Sequence, residues 1–270
     1  MPELSKDTTL CISLAGRPSN IGTRFHNFLY AELGLDFLYK AFTATDIAAA
    51  IGGVRALGIR GCSVSMPFKE AVIPLVDHIE PSAVAIGSIN TIVNDGGVLT
   101  ASNTDYEAIA SLIDSHGLDP AASVLVRGSG GMAKAVVAAF HDAGFRDLTV
   151  VARNAVAGPA LAEAYGFRWM ADDPVPGADI IVNVTPLGMT GSDAEALAFS
   201  PEHIDAATTV FDVVAFPAET PLIRAAREAG RAVITGAEVI ALQAAGQFAR
   251  YTGVTPTLDQ VARASAYSRS

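Results

Sequence analysis

The sequence predicts an α/β protein in two parts, and three observations predict it. Short apolar runs alternate with segments of helical rhythm along most of the 270 residues. One run, Val124-Leu125-Val126, stops at Gly128-Ser129-Gly130-Gly131-Met132-Ala133 and is followed at once by an alanine-rich helical stretch, Lys134–Ala143. From Gly236 onward the pattern is helical only. Alternation of this kind favours a mostly parallel sheet covered by helices. Two such series give two halves, and the closing helices belong to neither by pattern alone.

The first half opens with a strand over 9–15, broken by Gly16-Arg17-Pro18-Ser19-Asn20. A helix follows over Ile21–Leu33, with Phe25, Phe28, Leu29 and Leu33 on one side and Gly34 placed to end it. Phe37–Phe42 reads as a strand, and Thr45-Asp46 offers a cap for a helix over Ile47–Leu57. Ile59–Ser65 is a third strand, and Met66-Pro67-Phe68-Lys69-Glu70 leads into an expected helix near Ala71–His78. Ile89–Val93 and Val98–Ala101 flank Asn94-Asp95-Gly96-Gly97, a hairpin signal. Asn103-Thr104-Asp105 caps a helix over Tyr106–Ser115, and the polar stretch His116–Ala122 is the junction to the second half.

In that second half, Leu148–Ala152, Asp179–Val184, Thr209–Val214 and Ala232–Ile234 read as strands. Gly158–Tyr165 and Thr220–Ala229 read as helices, and the closing helices cover Ala237–Tyr251 and Leu258–Tyr267.

Half of the chain is apolar, so core material is plentiful, and the formal net charge of −10 argues against nucleic acid as a main partner. The two cysteines, Cys11 and Cys62, lie in strand-like runs and are expected as buried free thiols in a reducing cytoplasm. The first ten residues lack the pattern of a secretory signal, and no apolar stretch approaches a membrane span. The five histidines have no ligand-like spacing, so surface or capping roles are expected for them and no metal site.

The glycine stretch fits G-x-G-x-x-A in the strand-turn-helix context that a dinucleotide fingerprint needs. Gly128 allows the tight turn, Gly130 lets a pyrophosphate approach the backbone, and Ala133 lets the helix pack on the strand. The phosphates would then meet the free N–H groups of the helix start. The next strand ends in Arg153-Asn154, where an NAD-binding unit carries an acid for the ribose hydroxyl. A guanidinium there suits a 2′-phosphate, which points to NADP, with NAD the less favoured cofactor. Lys69 and Asp105 are each unremarkable alone. Together they supply one donor and one carboxylate able to share a proton at a hydroxyl carbon, as an alcohol–ketone interconversion requires.

Met66–Glu70, Asn90-Thr91, Asn103-Thr104-Asp105, Gly128–Ala133, Asn183-Val184-Thr185-Pro186 and Gln243-Ala244-Ala245 follow one another in the order they take in the shikimate dehydrogenase family. The chain resembles that family over nearly its whole length, and Gly16–Asn20 with Ser65–Glu70 resembles a shikimate dehydrogenase-like sub-branch. The resemblance implies a substrate-binding domain over 1–104 completed by 237–270, and a Rossmann-type dinucleotide domain over 105–236. It implies that Lys69 and Asp105 act as the acid–base pair. Asn90, Ser65 and Gln243 would touch the substrate. Cofactor contacts would come from Gly128, Ser129, Gly130, Gly131, Met132 and Ala133, from Arg153 and Asn154, and from Thr185, Pro186, Val213 and Gly236. The implied reaction is the NADP-dependent interconversion of shikimate and 3-dehydroshikimate, or of a near relative such as quinate, on the way to chorismate and the aromatic amino acids. A monomer or homodimer is expected.

Three departures touch substrate recognition. The family's Ser-x-Ser pair for the substrate carboxylate is replaced by Pro18–Arg24, where Ser19, Asn20 and Thr23 offer donors and Arg24 a charge. Ser102 stands where the family has an aspartate, and Ala215 where it has a tyrosine. They leave an alternative open: a cofactor-binding regulatory or weakly active relative with a different ligand.

Overall fold

The computed structural model describes residues 4–171 and 177–270. It divides into one unit of residues 1–107 and 241–270 and a second of residues 108–240.

The first unit is built on a six-stranded sheet. Its strands are β1 (Thr9–Ala15), β2 (Phe37–Thr43), β3 (Gly61–Val64), β4 (His78–Ile79), β5 (Thr91–Asp95) and β6 (Val98–Ser102), in the order β2-β1-β3-β5-β6-β4. β1 pairs in parallel with β2 and β3, whereas β5 runs antiparallel to both β3 and β6. Five of its six strands therefore run the same way, the mostly parallel layer expected for this half, and β5 is the exception. The cause is the β5–β6 hairpin, whose loop is only Gly96-Gly97, both at positive φ, because β5 runs on to Asp95.

Both faces of this sheet are covered. Ile12 and Leu14 of β1 pack on one face with Ile51 and Val54 of α2 (Ile47–Ala56). Cys11, one residue along and so on the other face, packs with Phe25, Leu29 and Tyr30 of α1 (Ile21–Glu32). That second face also takes Phe248 and Tyr251 of α9 (Gly236–Thr252) and Val261 and Ala264 of α10 (Leu258–Arg269). The closing helices thus belong to the first sheet because their apolar stripes complete its core. α1 ends where Gly34 turns to φ +64°, and α2 starts where the Asp46 carboxylate accepts from Ala49 N–H.

The helix expected near Ala71–His78 does not form. Pro74 falls inside it, lacks an N–H and clashes with the preceding turn. The chain makes one 3₁₀ turn, Ile73–Leu75, and enters β4 instead. The short α3 (Pro81–Val84) then precedes the hairpin. His26 also differs from expectation: it is fully buried, its ring stacked 4.3 Å from that of Tyr39, where a surface or capping role was expected. His203 is buried as well, its Nδ1 hydrogen-bonded to the Ser200 hydroxyl. Cys11 and Cys62 are buried free thiols.

The second unit is entered within α4 (Thr104–Ser115) and left within α9. Its strands are β7 (Val124–Arg127), β8 (Leu148–Val151), β9 (Arg168–Met170), β10 (Ile180–Asn183), β11 (Thr209–Asp212) and β12 (Ala232–Thr235). All pairs are parallel, in the order β12-β11-β10-β7-β8-β9. Its helices are α5 (Gly131–Asp142), α6 (Ala157–Ala164), α7 (Pro201–Ala206) and α8 (Pro221–Glu228). This is the doubly wound order, whose direction reverses between β7 and β10, and ligands bind outside the carboxyl ends of strands at such a reversal. The glycine stretch leaves β7 at that place.

Candidate active site

The first unit gathers four of the expected site residues around the ends of β3 and β6. The carbonyl of Asn90 accepts from Val64 N–H at 2.8 Å, beside Ser65, and Asn90 N–H donates to the Ser102 carbonyl. Ile89 N–H donates to the Lys69 carbonyl at 2.9 Å. The backbone thereby ties the Ser65–Lys69 turn to Asn90, and Asn90 to the start of α4. At that start Asn103 is the cap, because its Oδ1 accepts from the N–H groups of Asp105 and Tyr106. Asp105 is then free to turn inward. Its Oδ2 accepts from Lys69 Nζ at 2.5 Å, with the carboxylate 7% and the lysine side chain 25% exposed. The acid is shielded and the ammonium stays open on one side. An ion pair that faces water only through the lysine can exchange a proton there with a bound molecule.

Asn90 is the second polar feature. Its Oδ1 accepts from the Thr91 hydroxyl at 2.7 Å, from Thr104 N–H at 2.8 Å and from the Thr104 hydroxyl at 3.2 Å. Its buried Nδ2 has no hydrogen-bond partner among the described residues. A buried amide N–H₂ without an acceptor costs about 1–3 kcal/mol, so this donor pair suits the oxygen of a ligand. Ser65 is exposed and Gln243 half-buried on α9.

The expected carboxylate-binding stretch is placed differently. Ser19 and Asn20 are exposed, and the Ser19 hydroxyl accepts from Ile21 N–H. Thr23 and Arg24 line a cavity of about 740 Å³ with Phe28, Phe37, Leu38 and Tyr267, whose lining includes none of Ser65, Lys69, Asn90 or Asp105. The Arg24 guanidinium donates to the Ser270 carbonyl. Among the described residues no hydrogen bond or ion pair joins Thr23 or Arg24 to the Lys69 set.

In the second unit the glycine turn has the form expected for a pyrophosphate site. Gly128 has φ +127°, and a Cβ there would sit 2.7 Å from Val184 Cγ2. Gly130 is the N-cap of α5 and provides no side-chain cap, and among the described residues nothing beyond the adjoining chain lies within 4 Å of where a Cβ on it or on Gly131 would be. The space beside the helix start is open and its N–H groups are uncapped, which fits a dinucleotide phosphate. Ser129 and Met132 flank this opening, and Ala133 is buried against the strand. Arg153 is exposed at the end of β8, and among the described residues nothing pairs with it. Asn154 beside it accepts from Val156 and Ala157 N–H, which starts α6.

Further along the same strand ends, Asn183 Oδ1 accepts from the N–H and the hydroxyl of Thr185, ahead of the exposed Pro186. Asn183 Nδ2 donates to Asp212 Oδ1 at 3.0 Å. Asp212 also accepts from Val214 N–H and the Thr220 hydroxyl. Burial pushes its carboxyl up to about 6 against those three donors. Gly236 is dictated by contact: a Cβ would lie 2.4 Å from the Val214 carbonyl and 2.5 Å from the Val213 oxygen.

Sequence reasoning passes over Thr104, Gln247 and Asp212. Thr104 lies inside the Asn103–Asp105 motif. Gln247 carries no signal, because a polar residue on a helix is ordinarily solvated. Asp212 ends an apolar strand, and a buried acid there is a weak signal that a network waits for it.

Residues 20–92 match a family model described as the shikimate dehydrogenase substrate binding domain. The chain is 56% identical over 268 residues to a shikimate dehydrogenase-like protein of Haemophilus influenzae, covering 99% of both. Its fold is similar to the solved structure of a shikimate 5-dehydrogenase-like protein, with a TM-score of 0.96 at 55% identity over 99% of this chain and all of that one. It is also similar to shikimate 5-dehydrogenase from Thermus thermophilus, solved with NADP(H) and shikimate. There the TM-score is 0.86 at 28% identity, over 96% of this chain and 99% of that one.

Proposed function

The chain belongs to the shikimate dehydrogenase family, and from that membership we propose that it is an NADP-dependent oxidoreductase of a cyclic polyhydroxy acid, shikimate or a near relative such as quinate. The observation that carries this reading is the Lys69–Asp105 pair, a shielded carboxylate at 2.5 Å from a half-open ammonium. Residues 1–107 with 241–270 are assigned as the substrate domain and residues 108–240 as the cofactor domain.

NADP, when bound, supplies or accepts the hydride. The start of α5 would hold its phosphates, and Arg153 would read a 2′-phosphate. In the reducing direction Lys69 Nζ donates a proton to the oxygen of the carbonyl that becomes an alcohol. In the oxidising direction it takes that proton back from the hydroxyl. Asp105 holds the ammonium in place and compensates its charge. Asn90 donates through Nδ2 to the oxygen of a neighbouring ring hydroxyl.

The test is Lys69→Ala, assayed with shikimate and quinate in both directions. General acid–base groups contribute about 10²–10⁴-fold, so kcat/KM should fall by about that much while NADP still binds. Equal rates for mutant and wild type would remove the assignment.

One observation favours a second reading, a relative tuned to another ligand. Ser19 and Asn20 are exposed, and Arg24 is engaged by the Ser270 carbonyl. A screen of shikimate, quinate and carboxylate-free analogues with NADP and with NAD separates the two, since the second reading requires the carboxylate-free compounds to react at least as well.

A further inference from the structure

Gln247 lies on α9, in the unit that holds Lys69 and Asp105, and is 3% exposed. A buried carboxamide must find partners. Its Nε2 donates to the Asn90 carbonyl at 3.3 Å and to the Thr91 hydroxyl oxygen at 3.2 Å. With that lone pair filled from Gln247, the Thr91 hydroxyl points its own hydrogen at Asn90 Oδ1, 2.7 Å away. Thr104 N–H reaches the same oxygen from the start of α4. Three donors on Oδ1 leave one orientation for the Asn90 amide, with the buried Nδ2 on the side that has no hydrogen-bond acceptor among the described residues.

We infer that Gln247 is a positioning residue for substrate: through Thr91 it fixes the rotamer of Asn90 so that Nδ2 faces a hydroxyl oxygen on the substrate ring. The inference rests on the reading of Asn90 as a substrate donor. It adds a residue that touches no substrate and ties the closing helix to the substrate-facing amide. Without Gln247 the Thr91 hydroxyl can rotate toward the Thr104 hydroxyl, 3.3 Å away. Asn90 Oδ1 then keeps only its Thr104 donors, and the amide is held less firmly at the angle that aims Nδ2 at the substrate.

The experiment uses the full-length protein with two removals of the link, Gln247→Met and Thr91→Val, both close in volume to the originals, and the conservative Thr91→Ser. In each removal the KM for shikimate should rise about tenfold or more, with kcat within about threefold and the KM for NADP unchanged, the signature of lost uniform binding. Thr91→Ser should return KM to within about threefold of wild type, which a purely packing role would not do. Wild-type KM in both removals overturns the inference.

Should Gln247→Met fail to fold, the Thr91→Val and Thr91→Ser pair reads the same link. Asn90→Asp separates the two levels. If it raises KM while Gln247→Met and Thr91→Val do not, only the positioning role falls. If it too leaves KM at the wild-type value, the substrate reading of Asn90 falls and the inference with it. If neither shikimate nor quinate turns over, the side-chain amide ¹H–¹⁵N pair of Asn90 reports its orientation directly, and unchanged resonances in both removals overturn the inference.

Discussion

A single charge pair decides what the first unit can do. Asp105 reaches Lys69 only because Asn103 takes over the capping of α4. An acid in the first helical turn normally serves the helix dipole; here it also serves a neighbour across the sheet. Asp105→Asn keeps the shape and removes the charge. Activity should fall by about 10²-fold or more in kcat/KM with the fold retained, as steady-state rates beside a circular dichroism spectrum would establish. Rates near wild type would mean that Lys69 works without its partner. At the other site the same residue-level argument applies to Arg153, an exposed guanidinium with no partner among the described residues. Arg153→Asp should lower the preference for NADP over NAD by about tenfold or more, since it exchanges a phosphate reader for a ribose-hydroxyl acceptor. An unchanged ratio of the two kcat/KM values would make it an ordinary surface residue.

Elements place these residues, and close backbone approaches place the elements. A Cβ on Gly61 of β3 would meet the Tyr251 ring of α9 at 2.3–2.6 Å, so that helix sits on that strand only where the side chain is missing. Gly61→Ala should destabilise the first unit by about 1–3 kcal/mol through overpacking. Tyr251→Leu in the same chain should recover part of that loss. Denaturant midpoints of the two single variants and the double variant give the coupling, and strict additivity would contradict the contact.

What could be read in advance follows the same physics. The strand–Gly128–Ala133–helix run and the Asp46 cap were legible because local sequence dictates them. The C-terminal helices were legible as helices, but their pattern did not tell which sheet they cover, since their stripes match a partner face distant in sequence. Pro74 was legible in principle and outweighs the helical rhythm around it. Gln247 and the buried ring of His26 were not legible, because only tertiary packing removes them from water.

At the scale of the whole molecule, each unit carries a buried group shifted across the mildly acidic range, His26 in the first and Asp212 in the second, and the two respond to acid in opposite senses. In the first unit burial pushes His26 down to about 3, with the Gln247 side chain opposing the shift. Between pH 3 and the ordinary value of about 6.5 the unfolded chain binds the proton and the folded one does not, so stability falls as pH falls. In the second unit Asp212 is pushed up to about 6. Between about pH 3.8 and 6 the folded state holds the extra proton, so that contribution is present at low pH and lost as pH rises through 6.

From pH 7 to pH 5 the first unit should lose about 2 kcal/mol through His26 and the second should gain about 1 kcal/mol through Asp212. Trp169, the one tryptophan of the chain, lies in the second unit and reports it alone by fluorescence. His26→Phe keeps the stacked ring on Tyr39 and should flatten the acid loss seen by circular dichroism between pH 6.5 and 5. Asp212→Asn should abolish the rise of the Trp169 midpoint over the same range. If His26→Phe and wild type lose stability with the same slope, His26 is charged in the folded protein. The aromatic cluster of Phe25, Tyr30, Tyr39, Phe248 and Tyr251 around it would then be holding a cation.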